Sequence, residues 1–416
     1  MRLLRLVGRR LIHSGVLRVM LPNGRIEIFG SGPPVVTMRI HEPVALRRLL
    51  VHPALALGEE FMNGRITVED GSIYDLLDLI LSNAQWGIPG GPLAKFNDRL
   101  RVLARRIAQF NPATRSRRNV AHHYDLSDRL YQLFLDSDRQ YSCAYFLKAD
   151  DSLEVAQGQK KRHIAAKLLL GPGQKVLDIG SGWGGLGLYL ASLADVEVTG
   201  LTLSQEQFRV SNERAQQAGV ADRVRFALRD YRAEQSRYDR VVSVGMFEHV
   251  GLNHYDTYFK KIASMLTDDG VAMVHTIGRD DGPGATNAFI QKYIFPGGYA
   301  PALQEIIPSI QRAGLYVADV EVLRLHYAET LRRWRERFNA NRDEIRALYD
   351  ERFCRMWEFY LAGSEATFRH GGHVVFQIQM SKRVDTVPIT RGYITAFEAS
   401  HPLPEAVAPV TRLAAE

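Results

Sequence analysis

The sequence predicts an α/β protein: a seven-stranded, mostly parallel sheet wrapped by helices, with a smaller α+β region ahead of it. Three observations predict this. After residue 170, strand-like runs alternate with helix-like runs. A glycine-rich turn, GSGWGG, follows the first of those strands. Before residue 95 the apolar stretches are short, alternating and separated by Gly/Pro turns. The 416 residues are 46 % hydrophobic and 24 % charged, enough apolar material for a large core, so a disordered chain is excluded.

The elements follow in chain order. Residues 24–34 (GRIEIFGSGPP), 35–41 (VVTMRIH) and 65–81 (RITVEDGSIYDLLDLIL) predict the strands and helix of the small region. Residues 111–119 (NPATRSRRN) are polar and predict a linker. The alternating part places strands at Lys175–Gly180, Val196–Thr202, Val224–Asp230, Tyr238–Gly245 and Gly270–Gly278. Helices are expected between them, at Leu186–Leu193 and Gln205–Ala218. Two later strands, Tyr316–Leu325 and His373–Lys382, complete a Rossmann-like sheet with antiparallel late members. In the second, Phe376, Ile378 and Met380 alternate with Gln377 and Gln379. A long insert, Arg279–Gly314, and an Arg- and aromatic-rich helical pair, about 328–362, separate the late strands. The expected divisions are an N-terminal domain at 1–95, a basic helix and linker at 96–119, the catalytic domain at 120–395 and a tail at 396–416.

The net charge is +7, and its source is local. Between Lys95 and Arg118 stand eight basic residues against one acid, Asp98. Arg101, Arg105 and Arg106 interleave with Leu100, Val102, Leu103, Ile107 and Phe110, the pattern of a basic amphipathic helix. Such a helix can lie on an anionic membrane surface, at about 1 kcal/mol per basic residue, or be an ordinary solvated face. No recognition motif for nucleic acid accompanies it, so no nucleic-acid partner is expected. No apolar run of 18 residues occurs and the N-terminus lacks an apolar signal core, which predicts a cytoplasmic protein associated peripherally with the membrane. Cys143 and Cys354 lie too far apart in sequence for a cysteine-rich scaffold.

Gly180, Gly182 and Gly185 satisfy G-x-G-x-x-G. Glycines there let the backbone approach a ligand at a helix N-terminus. A dinucleotide site wants an acid closing the second strand, but that strand ends Val198-Thr199-Gly200-Leu201-Thr202. Acids stand instead at Asp178, before the turn, and at Asp230, closing the third strand. That placement suits S-adenosylmethionine, with Asp230 accepting from the adenine amino group. The fold class is then a seven-stranded Rossmann-like class I methyltransferase domain behind a smaller α+β N-terminal domain.

The chain resembles the cyclopropane-fatty-acyl-phospholipid synthases and the related mycolic-acid cyclopropane synthases. The resemblance rests on HHYDLS (122–127), QYSCAYF (140–146), VLDIGSGWGG (176–185), VTGLTLSQEQ (198–207), DRVVSVGMFEHVG (239–251), VHTIG (274–278) and KYIFPGG (292–298), in order over about 120–380. It implies that Tyr141 and Ser142 contact the methionine end of the cofactor, with Gly180 and Gly182 in the loop. It also implies that Thr202, Leu203 and Gln207 hold ribose and adenine, with Tyr231 and Arg232 beside the adenine. Two departures are Ser181 and Ser364, where members of the family carry cysteine; Cys354 does not correspond to the latter, so no late catalytic cysteine is expected.

The chemistry so implied begins with an alkene, a weak nucleophile, held against a sulfonium methyl in a dry pocket. Methyl transfer leaves a carbocation, and a proton must leave the new methyl group before the ring closes. The resemblance implies a bicarbonate or carbonate ion as base, held by Cys143, Glu248, His275 and Tyr327 with a backbone group of Ile277. Tyr327 and His275 can donate to an anion, and Glu248 can accept from its hydroxyl. Tyr124 and Tyr141 offer π faces to the cation, at roughly 0.5–2 kcal/mol each. His122, His123 and His249 lack a ligand spacing, so no metal is expected. Trp334, Phe338, Phe353, Trp357, Phe359 and Tyr360 are candidates to line the acyl pocket or to form plain core. The implied partners are an unsaturated phospholipid and a second copy of the chain. Alternatives of the same chemistry are a methyl- or methylene-branching enzyme and a small-molecule N-methyltransferase; a silent lipid-binding protein is the alternative of another class.

Overall fold

The computed structural model describes residues 2–84 and 126–403. The basic segment, His122, His123 and Tyr124 lie outside the described residues.

The N-terminal part contains α1 (Arg2–Leu11), β1 (Gly15–Met20), β2 (Ile26–Ser31), β3 (Val35–Ile40), α2 (Pro43–Val51), α3 (Pro53–Met62), β4 (Ile66–Asp70) and α4 (Ile73–Asn83). Its four strands run in the order β2-β1-β3-β4, with β1 and β3 parallel and the other pairs antiparallel. The amphipathic pattern of α4 buries Leu76, Leu77, Leu79 and Ile80. Its start is fixed by Ser72, which accepts from the Asp75 amide while Asp75 accepts from the Ser72 amide.

The second part begins with α5 (Asp128–Phe134) and α6 (Leu153–Lys167). The alternating run follows: β5 (Lys175–Ile179), α7 (Gly185–Leu193), β6 (Glu197–Thr202), α8 (Gln205–Gln217), β7 (Val224–Leu228), β8 (Tyr238–Val244), α9 (Tyr255–Met265) and β9 (Leu266–Arg279). It closes with α10 (Leu303–Arg312), β10 (Tyr316–Val322), α11 (His326–Ala340), α12 (Arg342–Leu348), α13 (Glu351–His370), β11 (His373–Ser381) and α14 (Gly392–Ser400). The sheet order is β10-β11-β9-β8-β5-β6-β7. Only β11 runs against the rest, pairing antiparallel with both β9 and β10. The order reverses at β5, which sits between β8 and β6, and a reversal of this kind opens a crevice beyond the strand ends.

One expectation changes. The helical pair of 328–362 is three helices, because Asp350 caps a new start by accepting from the Phe353 amide. Gln377 and Gln379, which alternate with the apolar residues of β11, are fully buried, since β11 has neighbours on both sides and is covered on both faces. Helix α6 carries no apolar stripe yet is mostly buried: Gln157, Gln159, Lys160, His163 and Lys167 all lie inside. Among the described residues no helix is long and apolar enough to cross a membrane. Helices α3 and α4 pack on α13, which joins the N-terminal part to the second through a shared core.

Candidate active site

Two cavities meet beyond the carboxyl ends of the parallel strands. The first, about 140 Å³, is built on the turn after β5. Gly180 has φ +84°, and a Cβ on it would come within 2.9 Å of the Met246 Cβ; Gly182 has φ +54° and opens on free space. Both conformations favour glycine. All eleven residues expected to bind the cofactor line this cavity: Tyr141, Ser142, Asp178, Gly180, Gly182, Thr202, Leu203, Gln207, Asp230, Tyr231 and Arg232. Thr202 and Gln207 are joined by a 2.8 Å hydrogen bond between Oγ1 and Oε1. Asp230 is held by Arg232, whose Nε and guanidinium NH2 donate at 2.8 and 2.6 Å, so this carboxylate already has a cationic partner where it faces the cavity.

The donor set fits S-adenosylmethionine. Asp178 Oδ2 and Ser181 Oγ are buried without a hydrogen-bond partner. Burial pushes the Asp178 carboxyl up to about 7, so its charged form is held in reserve for a cationic or donor ligand.

The second cavity is larger, about 620 Å³, within the range of sites that enclose a sizeable ligand. Cys143, Glu248, His275, Ile277 and Tyr327 line it together, although they come from four separate stretches of chain. Glu248 sits on a one-turn helix after β8, and its Oε1 accepts from the Ile277 amide at 2.6 Å. The Ile277 N–H is therefore spent on positioning Glu248. Oε2 of the same carboxyl is buried and unpartnered, and burial raises the Glu248 carboxyl to about 7. His275 Nδ1 contacts Gln377 Nε2 at 3.2 Å, while its Nε2 is buried and unpartnered. Burial and the nearby Lys160 and Lys167 ammonium groups push the imidazole well below its ordinary value, so it is neutral; with Gln377 donating to Nδ1, the proton sits on Nε2. Burial pushes the Cys143 thiol up, so it is an unreactive S–H, donating to the Ala144 carbonyl at 3.3 Å. Tyr327 packs edge-on against Trp334, ring centroids 5.8 Å apart.

The unpartnered Glu248 Oε2 and His275 Nε2 fit a small oxyanion carrying one hydroxyl: a carboxylate to accept, an imidazole N–H to donate. Among the described residues no group of three His, Cys, Asp or Glu side chains is placed to hold a metal ion.

Tyr141, Ser142, Gly245 and His249 line both cavities and form their common wall. Tyr141 is fixed there by a 2.8 Å contact between its hydroxyl and that of Tyr360, and by Trp334 at 5.1 Å. Of the six aromatic candidates, Phe359 and Tyr360 line the second cavity, whereas Trp334, Phe338 and Trp357 are fully buried core and Phe353 stacks on Trp357. Leu57, Leu77 and Leu81 of α3 and α4 complete the wall. Nothing in their own stretch of sequence marks them as site residues; the signal is their packing on α13.

The strand order and the cavity at its reversal define a class I S-adenosylmethionine-dependent methyltransferase. Residues 111–378 match the mycolic acid cyclopropane synthetase family, and residues 11–87 match a domain of unknown function. The chain is 38 % identical over 369 residues to the cyclopropane-fatty-acyl-phospholipid synthase of Escherichia coli K12, covering 88 % of this chain and 92 % of that one. It is also 38 % identical over 398 residues to the tuberculostearic acid methyltransferase UfaA1 of Mycobacterium tuberculosis, covering 90 % and 89 %. The mycolic acid cyclopropane synthase CmaA1, solved with SAH and CTAB, superposes with a TM-score of 0.61 at 34 % identity, covering 65 % of this chain and 99 % of that one. The chain belongs to the mycolic acid cyclopropane synthetase family.

Proposed function

We propose that this enzyme converts the cis double bond of an unsaturated phospholipid acyl chain into a cyclopropane. The observation that carries the reading is the shared wall: a smaller cavity of cofactor type and a larger, mainly apolar cavity meet at Tyr141, Ser142, Gly245 and His249. A relative named for this reaction matches nearly the whole chain.

When bound, S-adenosylmethionine supplies an electrophilic methyl group on sulfur. The residues of the first cavity orient it, and the second cavity holds the alkene in a site shielded from water. Held there by Tyr141 and Ser142, the methyl would pass from sulfur to one alkene carbon, with S-adenosylhomocysteine as the leaving group and a cation on the neighbouring alkene carbon. Tyr141, which lines both cavities, would stabilise that cation through its ring. A proton then leaves the new methyl group, and its electron pair closes the ring. When bound, bicarbonate supplies the base for that proton. Glu248 Oε2 would accept from its hydroxyl, and His275 Nε2 and the Tyr327 hydroxyl would donate to its oxygens. Cys143 contributes a small neutral wall.

A second reading keeps the methyl transfer but loses the proton elsewhere, giving a methyl or methylene branch; a relative named as a tuberculostearic acid methyltransferase favours it. One experiment separates the two. The purified protein is incubated with S-adenosylmethionine and vesicles of cis-monounsaturated phospholipid, and the fatty acid methyl esters are analysed by gas chromatography and mass spectrometry. A product 14 mass units heavier that resists hydrogenation is the expected result. A heavier product that takes up hydrogen sinks the cyclopropane reading in favour of branching, and no product sinks both. We further propose that the protein works as a homodimer on the anionic cytoplasmic face of a membrane, which co-sedimentation with anionic vesicles and the mass in solution check.

A further inference from the structure

Helix α6 is an odd helix to bury. It has no apolar stripe, yet Gln157 and Lys160, one turn apart on the same face, are 0 % and 1 % exposed. Both point at the segment that forms the common wall of the two cavities. Gln157 Nε2 donates to the backbone carbonyls of Ser142, at 2.9 Å, and Gln140, at 3.3 Å. Lys160 Nζ donates to Gln140 Oε1 at 2.6 Å and to Ser142 Oγ at 2.8 Å. Lys160 lines neither cavity itself; it stands behind the wall.

An ammonium group is a donor only. Ser142 must therefore meet it with a lone pair, and the hydroxyl proton of Ser142 is turned away from Lys160. Ser142 faces both cavities. Burying an ammonium group is costly, and a buried lysine without a local role is rare. We propose that Lys160 is a positioning residue that fixes Ser142 as a hydrogen-bond donor toward an anionic acceptor of the cofactor, its α-carboxylate. The proposal rests on the S-adenosylmethionine reading of the first cavity and adds to it a residue and a polarity.

The groups that face Lys160 are Asp136 and Asp138 from the segment after α5, Cys143 from the wall, Asp178 from β5, His275 from β9 and Lys161 from its own helix. Desolvation brings the Lys160 ammonium down to about 8. Asp136 is raised to about 6 and Asp178 to about 7, Asp138 is held low by Lys161 and Arg214, the Cys143 thiol is pushed up and the His275 imidazole far down. Lys160 thus loses its positive charge in a window between about pH 7.5 and 9. Above it the amine can accept from Ser142, and the imposed direction is lost.

The test is binding of S-adenosylhomocysteine to the full chain by titration calorimetry. At pH 7, Lys160→Met and Ser142→Ala should each weaken binding by roughly ten- to a hundredfold, the range of a hydrogen bond to a charged group. The double variant should bind no more weakly than the poorer single variant, because the lysine acts through the serine. The advantage of wild type over Lys160→Met should shrink as pH rises from 7 to 9.5; taking this ratio cancels ionisation of the ligand. Ser142→Ala should flatten the same alkaline limb, and this holds as a test even if Lys160→Met fails to fold. Additive losses, or a ratio independent of pH, would mean a merely structural lysine and overturn the proposal. Wild type that does not bind S-adenosylhomocysteine at all would instead overturn the cofactor reading.

Discussion

The two cavities differ in how the chain builds them. Every residue lining the cofactor cavity falls between Arg139 and Val250, most of them on turns at the ends of four adjacent parallel strands. The lining of the larger cavity runs from Val51 to His373 and draws on the N-terminal helices, the insert after β9 and two late helices. One site is a local property of the sheet. The other exists only once distant parts have packed. The proposed chemistry falls where they touch, with Glu248 and His275 on the larger side and Gly180 and Asp178 on the other.

This comparison predicts that damage can be confined to one side. The largest effect should come from Glu248→Gln, which keeps the shape but removes the carboxylate facing the larger cavity. Turnover should fall by about 10²–10⁴, the range for removing a positioned proton acceptor, while S-adenosylhomocysteine binds as before. Near-normal turnover would remove Glu248 from the chemistry. Gly180→Ala should do the reverse. It places a Cβ 2.9 Å from that of Met246 at φ +84°, and we expect cofactor affinity to drop about tenfold, with the lipid KM unchanged at saturating cofactor. A parallel loss of lipid affinity would show that the wall transmits strain between the cavities.

A third variant probes the larger cavity alone. Gly363 of α13 lines it, and an added Cβ there meets only Leu77 Cδ1, at an ordinary 3.8 Å. Leu at 363 suits a helix better than Gly and fills cavity space. Gly363→Leu should leave folding and cofactor binding intact. It should lower kcat/KM on long-chain phospholipid by about tenfold, since each methylene excluded is worth roughly 1–3 kcal/mol. Unchanged lipid kinetics would mean that the acyl chain does not reach α13.

The same division explains what was legible in the sequence. The cofactor cavity was, because a Gly-rich turn, an acid before it and an acid two strands later are short-range signals fixed by backbone geometry. Of the eleven expected residues, all of which line that cavity, Asp178, Gly180, Gly182 and Asp230 came from these signals and the other seven only through resemblance. Of the larger cavity, the residues proposed to hold an anion were picked out only through resemblance; no spacing joins Cys143, Glu248, His275 and Tyr327. The aromatic choices divided between wall and core, since helix periodicity marks a buried face but not what it is buried against. The N-terminal leucines were not legible at all, and α6 escaped notice for a physical reason: Gln157 and Lys160, satisfied by the wall segment, are buried among Leu153, Ile164 and alanines, so it carries no hydrophobic period.

The smallest expected effect concerns stability. In the folded protein the Glu248 carboxyl is raised from 4.5 to about 7, with desolvation the main cause and the Ile277 amide only partly opposing it. A carboxyl raised on folding holds its proton more tightly in the native state than in the unfolded chain. Its contribution is therefore fully present below about pH 4.5 and is lost as pH rises through about 7. Glutamine does not titrate. The stability of Glu248→Gln relative to wild type should accordingly rise between pH 5 and pH 8, by about 1–3 kcal/mol. Comparing the two proteins at each pH cancels every other titrating group that the substitution leaves alone. Urea unfolding of both across that range measures it. A difference that stays flat would mean that water or a bound anion already solvates Oε2, and that the larger cavity is not dry where the proton must leave.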